Sequence, residues 1–176
     1  VIFFKRGDNN NFIAENQSIR IMSLLTVGTV AFDDIETPGG RAEKVVGGAA
    51  TYIALAASYF TKDIRIVSVV GDDFPTEELS YLQSRGIDLQ GLQIRKGEKS
   101  FFWAGRYRNN MNERDTLITD LNVLADFDPV LPDSYKNVPF LMLGNLTPAV
   151  QQRVIEQLNQ RPKLIALDTM NFWMNT

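Results

Sequence analysis

Acidic and amide side chains follow four separate apolar segments of the chain, and they are the residues best suited to bind a polar ligand. They are Asp33 and Asp34 after LLTVGTVAF, Gly71-Asp72-Asp73 at the end of IRIVSVVG, Gly144 and Asn145 after FLML, and Asp168 and Asn171 at the end of KLIALD and beyond it. If the four segments are strands of one parallel sheet, these side chains meet at the edge where ligands bind. Carboxylates accept hydrogen bonds from hydroxyls, and amides donate and accept them, so this edge predicts a sugar or nucleoside site. The alternative is that these residues are solvated turns.

Asp33 is the first candidate for accepting a substrate hydroxyl, because it follows an apolar strand directly. Its alternative is a helix N-cap or an Asx-turn residue. The pair Gly47-Gly48 opens the segment GGAATYIALAA. Since glycine lets backbone approach a ligand and a helix start exposes free N–H groups, this pair is a second candidate contact. The alanines that follow are interpreted as packing residues of a helix close to the sheet.

The composition excludes several kinds of chemistry. The 176 residues include no cysteine and no histidine, so a thiol nucleophile, a Cys/His zinc site and a Ser-His-Asp triad are ruled out. Neither G-x-G-x-x-G nor a Walker A sequence occurs. The net charge of −3 and the scattered lysines and arginines argue against nucleic acid as a partner. No apolar run is long enough for a membrane helix, and the lack of cysteine fits a cytoplasmic protein.

Apolar strands alternate with amphipathic helices along most of the chain, which predicts a parallel sheet with helices on both faces. The predicted strands are LLTVGTVAF and residues 64–71, 140–145 and 163–168. The predicted helices cover about residues 49–59, PTEELSYLQSRG, and a segment that starts at Thr147-Pro148 and runs to about residue 159. Thr147 is the expected N-cap of that last helix. The fold class is therefore α/β.

Two β-rich pieces, about residues 35–46 and 100–120, interrupt this rhythm and are expected to pair into a small side sheet. Residues 1–21 form an atypical N-terminal extension whose apolar start is too short for a signal peptide. We interpret residues 1–21 either as translated upstream sequence or as a genuine extension, and residues 22–176 as the folded unit.

Taken together, these motifs resemble the ribokinase-like (PfkB) carbohydrate kinases. VGTVAFDD resembles the family's first strand, in which an Asp after the Gly contacts substrate hydroxyls; Gly28 and Asp33 take those places. GGAATYIALAA is similar to the N-terminal signature of the family, and VVGDDF is similar to the strand and turn that follow it. The two side pieces resemble the family's β-lid. The resemblance covers the chain from about Leu24 onward.

The resemblance implies a kinase that transfers phosphate from ATP, with Mg²⁺, to a hydroxyl of a small sugar or nucleoside. It implies that Asp33, Gly47, Gly48 and Asn145 hold the substrate and that Phe101 or Trp103 of the lid covers it. It also implies a possible homodimer through the lid. Tyr52 is a further substrate-binding candidate, because it stands where ribose-specific members carry Asn; this indicates a substrate other than ribose.

The C-terminal signature of the family, a Gly-Ala-Gly-Asp run, does not occur in the sequence. In the family that run supplies the phosphate anion hole and the catalytic base, so the base is expected beyond Thr176 and no catalytic residue is assigned. We expect this chain to correspond to the N-terminal part of such a kinase, without the C-terminal half, and to be inactive by itself. The alternatives are a non-catalytic sugar- or nucleoside-binding module and a plain Rossmann-like domain that binds no ligand.

Overall fold

A computed structural model describes residues 22–174 as two sheets with helices packed on them. In chain order the elements are β1 (Leu24–Val27), β2 (Ala31–Thr37), β3 (Gly40–Gly47), α1 (Ala49–Ala57), β4 (Ile64–Gly71), α2 (Thr76–Ser84), β5 (Ile87–Arg95), β6 (Phe102–Tyr107), β7 (Arg114–Asp120), β8 (Phe140–Leu143), α3 (Pro148–Glu156), β9 (Leu164–Leu167) and α4 (Asn171–Met174). Short 3₁₀ turns cover Asn122–Leu124 and Asp133–Tyr135. The predicted extension, residues 1–21, lies outside the described residues.

The larger sheet, here called the central sheet, has five strands in the order β5-β4-β1-β8-β9, and every neighbouring pair is parallel. Side chains of β4 alternate between two apolar clusters: Val67 and Val69 pack in one cluster with α3, while Ile66 and Val70 pack in the other with α1 and α2. This alternation arises because successive strand residues point to opposite faces. The predicted α/β class and the helix-covered parallel sheet are confirmed.

The smaller sheet, here called the side sheet, has the order β3-β2-β6-β7. β2 pairs antiparallel with β3 and parallel with β6, and β6 pairs antiparallel with β7. The two β-rich pieces of the sequence therefore do pair with each other, with β2 starting earlier than expected.

The segment LLTVGTVAF is not one strand, as the sequence predicted, but two strands in two sheets. The chain leaves β1 at Gly28 and enters β2 at Ala31. Ser68, a fully buried residue of β4, bridges this break: its Oγ donates to the Gly28 carbonyl at 2.6 Å and accepts from the Val30 N–H at 3.2 Å. The local sequence does not reveal the break because the group that supports it lies about 40 residues away.

Two further strands differ from the sequence-based description. β5 was not among the predicted strands, although the alternation of apolar and polar residues in IDLQGLQIR is typical of a half-buried strand; it is a parallel edge strand beside β4. β9 was predicted as a strand of a sheet covered by helices on both faces, yet Leu164 and Leu167 are more than half exposed. Within residues 22–174, β9 pairs with β8 on one side and forms the other edge of the central sheet.

The helices begin close to where the sequence placed them. Thr147 caps α3 as predicted, since its Oγ1 accepts from the Val150 N–H at 3.3 Å, and Pro148 opens the helix. α1 begins at Ala49 and ends at Ala57. None of the helices between residues 22 and 174 has the length and apolar character needed to cross a lipid bilayer.

Candidate substrate site

Asp33 lies on β2, where the side sheet meets the central sheet. It pairs with Val45 of β3 on one side and with Trp103 of β6 on the other. Its carboxylate is partly buried, and no donor among residues 22–174 lies within hydrogen-bond distance of it. Burial raises its pKa to about 6, because desolvation disfavours the charged form. An acceptor that is partly desolvated but unpaired is suited to take hydrogen bonds from a ligand.

Gly47 provides the space that this carboxylate occupies. A Cβ at Gly47 would overlap both the carboxyl carbon and the oxygens of Asp33. Glycine is therefore required at position 47 for the Asp33 carboxylate to lie where it does. The two predicted candidates, Asp33 and Gly47, are in direct contact.

Gly48 has a different role. Its φ of +97° is unfavourable for a residue with a side chain, and a Cβ there would overlap the carbonyl of Thr29. Thr29 caps the helix that follows: its Oγ1 accepts from the Ala49 N–H and its carbonyl accepts from the Ala50 N–H, both at 2.9 Å. Two of the N–H groups that the sequence left free for a ligand are therefore bonded within the protein. Gly48 brings the start of α1 against the end of β1.

Asn145 is brought to the same end of the central sheet through close packing. Its neighbour Gly144 lies against the first residue of α1, so that a Cβ at Gly144 would come within 3.0 Å of the Ala49 Cβ. The Asn145 amide nitrogen donates to the Met170 Sδ at 2.9 Å, while its Oδ1 is buried and has no partner among the described residues. Asp33 and Asn145 thus lie at opposite ends of a continuous series of contacts through the start of α1.

Gln151 was not singled out by the sequence, although it holds this end of the sheet in place. It is 4% exposed, and its Nε2 donates to the Gly144 carbonyl at 2.9 Å and to the Asp168 carbonyl at 3.0 Å. A buried amide in an amphipathic helix would have been the sequence signal. Gln151 fixes the ends of β8 and β9 relative to each other.

Three of the other carboxylates at the strand ends have partners inside the protein. Asp34 accepts from the Lys44 N–H at 2.6 Å and pairs with Arg41. Asp72 accepts from the Gly97 N–H, and Asp73 accepts from both the N–H and the hydroxyl of the buried Ser100. These three residues hold loops in place. The sequence-based group of polar strand ends therefore separates into three internally bonded carboxylates, the exposed and unpaired Asp168, and two at least partly buried acceptors, Asp33 and the Asn145 Oδ1, that are unpaired among residues 22–174.

The aromatic candidates flank Asp33 at the start of β6. Phe101 is half-buried, and its carbonyl accepts from the Phe32 N–H at 3.0 Å. Trp103 is the direct cross-strand neighbour of Asp33; its ring covers Gly105, and its Nε1 donates to the Thr116 Oγ1 at 3.3 Å. Both residues belong to the structure around Asp33, and Trp103 shares its register.

Tyr52 lies on α1 and contacts the end of β3. Its side chain is 59% exposed, its hydroxyl donates to the Val46 carbonyl at 3.0 Å, and its ring lines a groove between α1 and α2. The hydroxyl of Tyr52 is therefore bonded to the backbone of β3 at the residue before Gly47. Asn171 is the first residue of α4.

The proteins of known function that this chain resembles are kinases. No family model matches the chain. A cytidine kinase from Thermococcus kodakarensis is 35% identical over 78 residues, which cover 44% of this chain and 28% of that protein.

Solved structures match over most of the chain. The ribokinase of Cryptococcus neoformans var. grubii serotype A, determined in complex with ADP, aligns with a TM-score of 0.66 and 18% identity, over 85% of this chain and 50% of that one. The nucleoside kinase of Methanocaldococcus jannaschii aligns with a TM-score of 0.61 and 17% identity, over 84% and 52% of the two chains. The chain spans about half the length of these structures. Its resemblance to the ribokinase-like (PfkB) kinases is confirmed, and it has their fold.

Proposed function

We propose that this chain forms the substrate-binding part of a kinase that transfers phosphate from ATP to a hydroxyl of a nucleoside or sugar. The observation that carries the proposal is the unpaired Asp33 carboxylate in the space that Gly47 provides. Phosphoryl transfer depends mainly on positioning and on charge stabilisation, which suits a chain without histidine or cysteine. A nucleoside is favoured over a free sugar, because the sequence match is to a cytidine kinase.

In this proposal the Asp33 carboxylate accepts hydrogen bonds from two neighbouring ribose hydroxyls. Gly47 keeps that carboxylate accessible, and Gly48 brings the start of α1 close to the ligand. The Asn145 Oδ1 is the second acceptor. Phe101 and Trp103 cover the substrate from the side sheet and exclude water, as a lid would.

Tyr52 acts indirectly in this arrangement. Its hydroxyl holds the Val46 carbonyl and thereby the backbone that leads into Gly47. Its predicted contact with the substrate stays a prediction, as does a cytoplasmic location.

ATP and Mg²⁺ are implied by the resemblance, and the Cryptococcus ribokinase was determined with ADP. Within residues 22–174, no three His, Cys, Asp or Glu side chains lie close enough together to hold a metal ion. We assign no described residue to the nucleotide, to the metal or to the role of catalytic base.

Calorimetry of the chain with cytidine, inosine and ribose tests the substrate assignment. We expect binding of a nucleoside and a loss of about tenfold in affinity for Asp33→Asn, which corresponds to roughly 1.4 kcal/mol. Asp34→Asn is the matched control, because its carboxylate is bonded within the side sheet and its removal should leave affinity unchanged. Failure of all three compounds to bind, or equal loss in both variants, would contradict the proposal.

An ADP-release assay distinguishes a kinase part from a binding module. We expect the 176-residue chain to bind nucleoside without turnover, and a chain extended by the family's C-terminal signature to be active. Ordinary kinase turnover by the 176-residue chain would contradict its assignment as a part without the base. Binding without turnover in the extended chain would favour the module.

A homodimer through the side sheet is the remaining part of the proposal. Every residue of β7 is exposed, including Leu117 and Ile118, and β7 is an edge strand of that sheet. Such an edge can pair with a second copy. Sedimentation of the chain as a monomer at all concentrations would exclude this dimer.

A further inference from the structure

One place on the α1–α2 interface already holds a guanidinium group. Arg85, which follows α2, donates from Nε and from the second terminal nitrogen to the Ser58 Oγ at 3.3 and 3.0 Å. Its guanidinium carbon lies 4.8 Å from the centre of the Tyr59 ring. A hydroxyl acceptor next to a tyrosine ring, just after the end of α1, therefore binds a planar cation that follows the end of α2.

The same pair of residue types occurs seven positions earlier on both segments. Thr51 and Tyr52 precede Ser58 and Tyr59 by seven residues, and Glu78 precedes Arg85 by seven. Seven residues are about two helical turns, so the earlier set faces the same interface about two turns closer to the N-terminal ends of α1 and α2. At this level α2 supplies a carboxylate in place of the guanidinium.

A cavity of about 100 Å³ lies at this earlier set of residues. It is lined by Val46, Thr51, Tyr52, Leu55, Glu78, Tyr81 and Leu82. No lysine or arginine is in its lining.

Two polar side chains of this cavity lack partners among the described residues. Thr51 is 1% exposed, and its hydroxyl has no hydrogen-bond partner among residues 22–174. Glu78 is half-buried and forms no ion pair within the described part of the chain. Tyr52 and Tyr81 present rings that are 59% and 51% exposed. An unpaired carboxylate, an unpaired hydroxyl and two aromatic rings form a complementary set for a planar cation.

We propose that this cavity is a binding site for the guanidinium group of a small soluble compound. The guanidinium N–H groups donate to the Glu78 carboxylate and to the Thr51 Oγ1, and the group stacks on the tyrosine rings, as Arg85 does on Tyr59. The cavity is well below the roughly 300 Å³ at which pockets for whole small molecules begin, so the rest of the ligand lies outside it. This site is separate from the Asp33 carboxylate, and the proposal does not depend on kinase activity.

The test is an NMR titration of the 176-residue chain with ethylguanidinium and with ethylurea, which has a similar planar shape but no charge. We expect ethylguanidinium to shift the ring signals of Tyr52 and Tyr81 with saturation, and ethylurea to bind at least about fivefold more weakly. Glu78→Gln should weaken ethylguanidinium binding by about fivefold or more. Glu77→Gln removes a neighbouring carboxylate that does not line the cavity and should leave binding within about twofold.

Equal binding of ethylurea and ethylguanidinium, equal effects of the two Glu variants, or no saturable shift would overturn the proposal. A far-ultraviolet circular dichroism spectrum of Glu78→Gln that matches the parent protein excludes misfolding as the cause of a loss. Self-association that Glu78→Gln abolishes would also overturn it, because the occupant would then be an arginine of a second copy.

Discussion

The central sheet and the side sheet are stabilised in different ways. In the central sheet, β4 is covered on both faces and almost every residue is buried. In the side sheet, β7 is exposed along its whole length, and ion pairs such as Arg106–Glu36 and Arg108–Asp115 lie in solvent. Full burial of a large apolar side chain contributes about 1.5–3 kcal/mol, whereas an exposed ion pair contributes about 0–1 kcal/mol. The difference indicates a rigid base and a more easily deformed cover, with Asp33 where they meet.

The largest effect should come from a cavity in the central sheet. Leu25→Ala removes a fully buried side chain of β1 and should lower the free energy of unfolding by about 2–5 kcal/mol. Leu117 on β7 is 50% exposed. Leu117→Ala is therefore the matched control and should change the free energy of unfolding by less than about 0.5 kcal/mol. Urea unfolding followed by circular dichroism measures both, and similar losses would contradict the contrast between the sheets.

The next effect is on ligand affinity at the junction. Gly47→Ala places a methyl group where the Asp33 carboxylate lies, so that carboxylate must move. We expect cytidine affinity to fall by about tenfold or more, or roughly 1.4 kcal/mol. Gly39→Ala, in the turn between β2 and β3, is the control, because the nearest atom to its added Cβ is 3.7 Å away. Unchanged affinity in Gly47→Ala would remove the main argument for the site.

A smaller effect should appear as opposite pH dependences of stability and binding. The pKa of Asp33 is raised from 3.8 to about 6 in the folded protein. Between these two pH values, Asp33 is therefore more protonated in the folded state than in the unfolded state. Its contribution to stability is complete below pH 3.8 and is lost as the pH rises through about 6, by an amount on the order of 1 kcal/mol after solvent screening.

Nucleoside binding should strengthen over the same range, because the carboxylate accepts hydroxyl hydrogen bonds. Urea unfolding and calorimetry between pH 4 and 7.5 measure the two trends. Asp33→Asn should reduce both trends, and identical trends in the variant would show that Asp33 is not their source.

The smallest effect should come from an ion pair of the side sheet. Glu36→Gln removes the partner of Arg106, whose Nε lies 3.0 Å from the Glu36 carboxylate, and both side chains are at least 40% exposed. We expect a loss below about 1 kcal/mol that disappears at high salt. A loss of stability that persists in 1 M salt would mean that the side sheet, like the central sheet, is stabilised mainly by burial rather than by exposed ion pairs.

The sequence predicted those parts of the fold that depend on neighbouring residues. The continuous apolar run of β4 and the Thr147-Pro148 start of α3 are local signals, and both were located correctly. The break between β1 and β2 depends on Ser68, and the placement of the Asp73 loop depends on Ser100. Such long-range hydrogen bonds leave no local pattern, so they could not be predicted.

The candidate site shows the same limit. Asp33 and Asp34 are adjacent and identical in type, but only Asp34 has partners within the side sheet. The sequence favoured Asp33 by its position after a strand, and it could not distinguish bonded from unpaired carboxylates at the other strand ends. The contact of Gly47 with Asp33 depends on cross-strand register, which requires the three-dimensional structure.

The hydroxyl of Ser68 has a mechanical consequence for the side sheet. It holds Gly28 and Val30, on both sides of the point where the chain passes from β1 to β2. That passage is only three residues long, so it is too short to act as a slack tether. We therefore expect a rotation of the side sheet to bend β2 beyond Ala31 and to move the Asp33 carboxylate with it, while Ser68 keeps the start of this strand fixed.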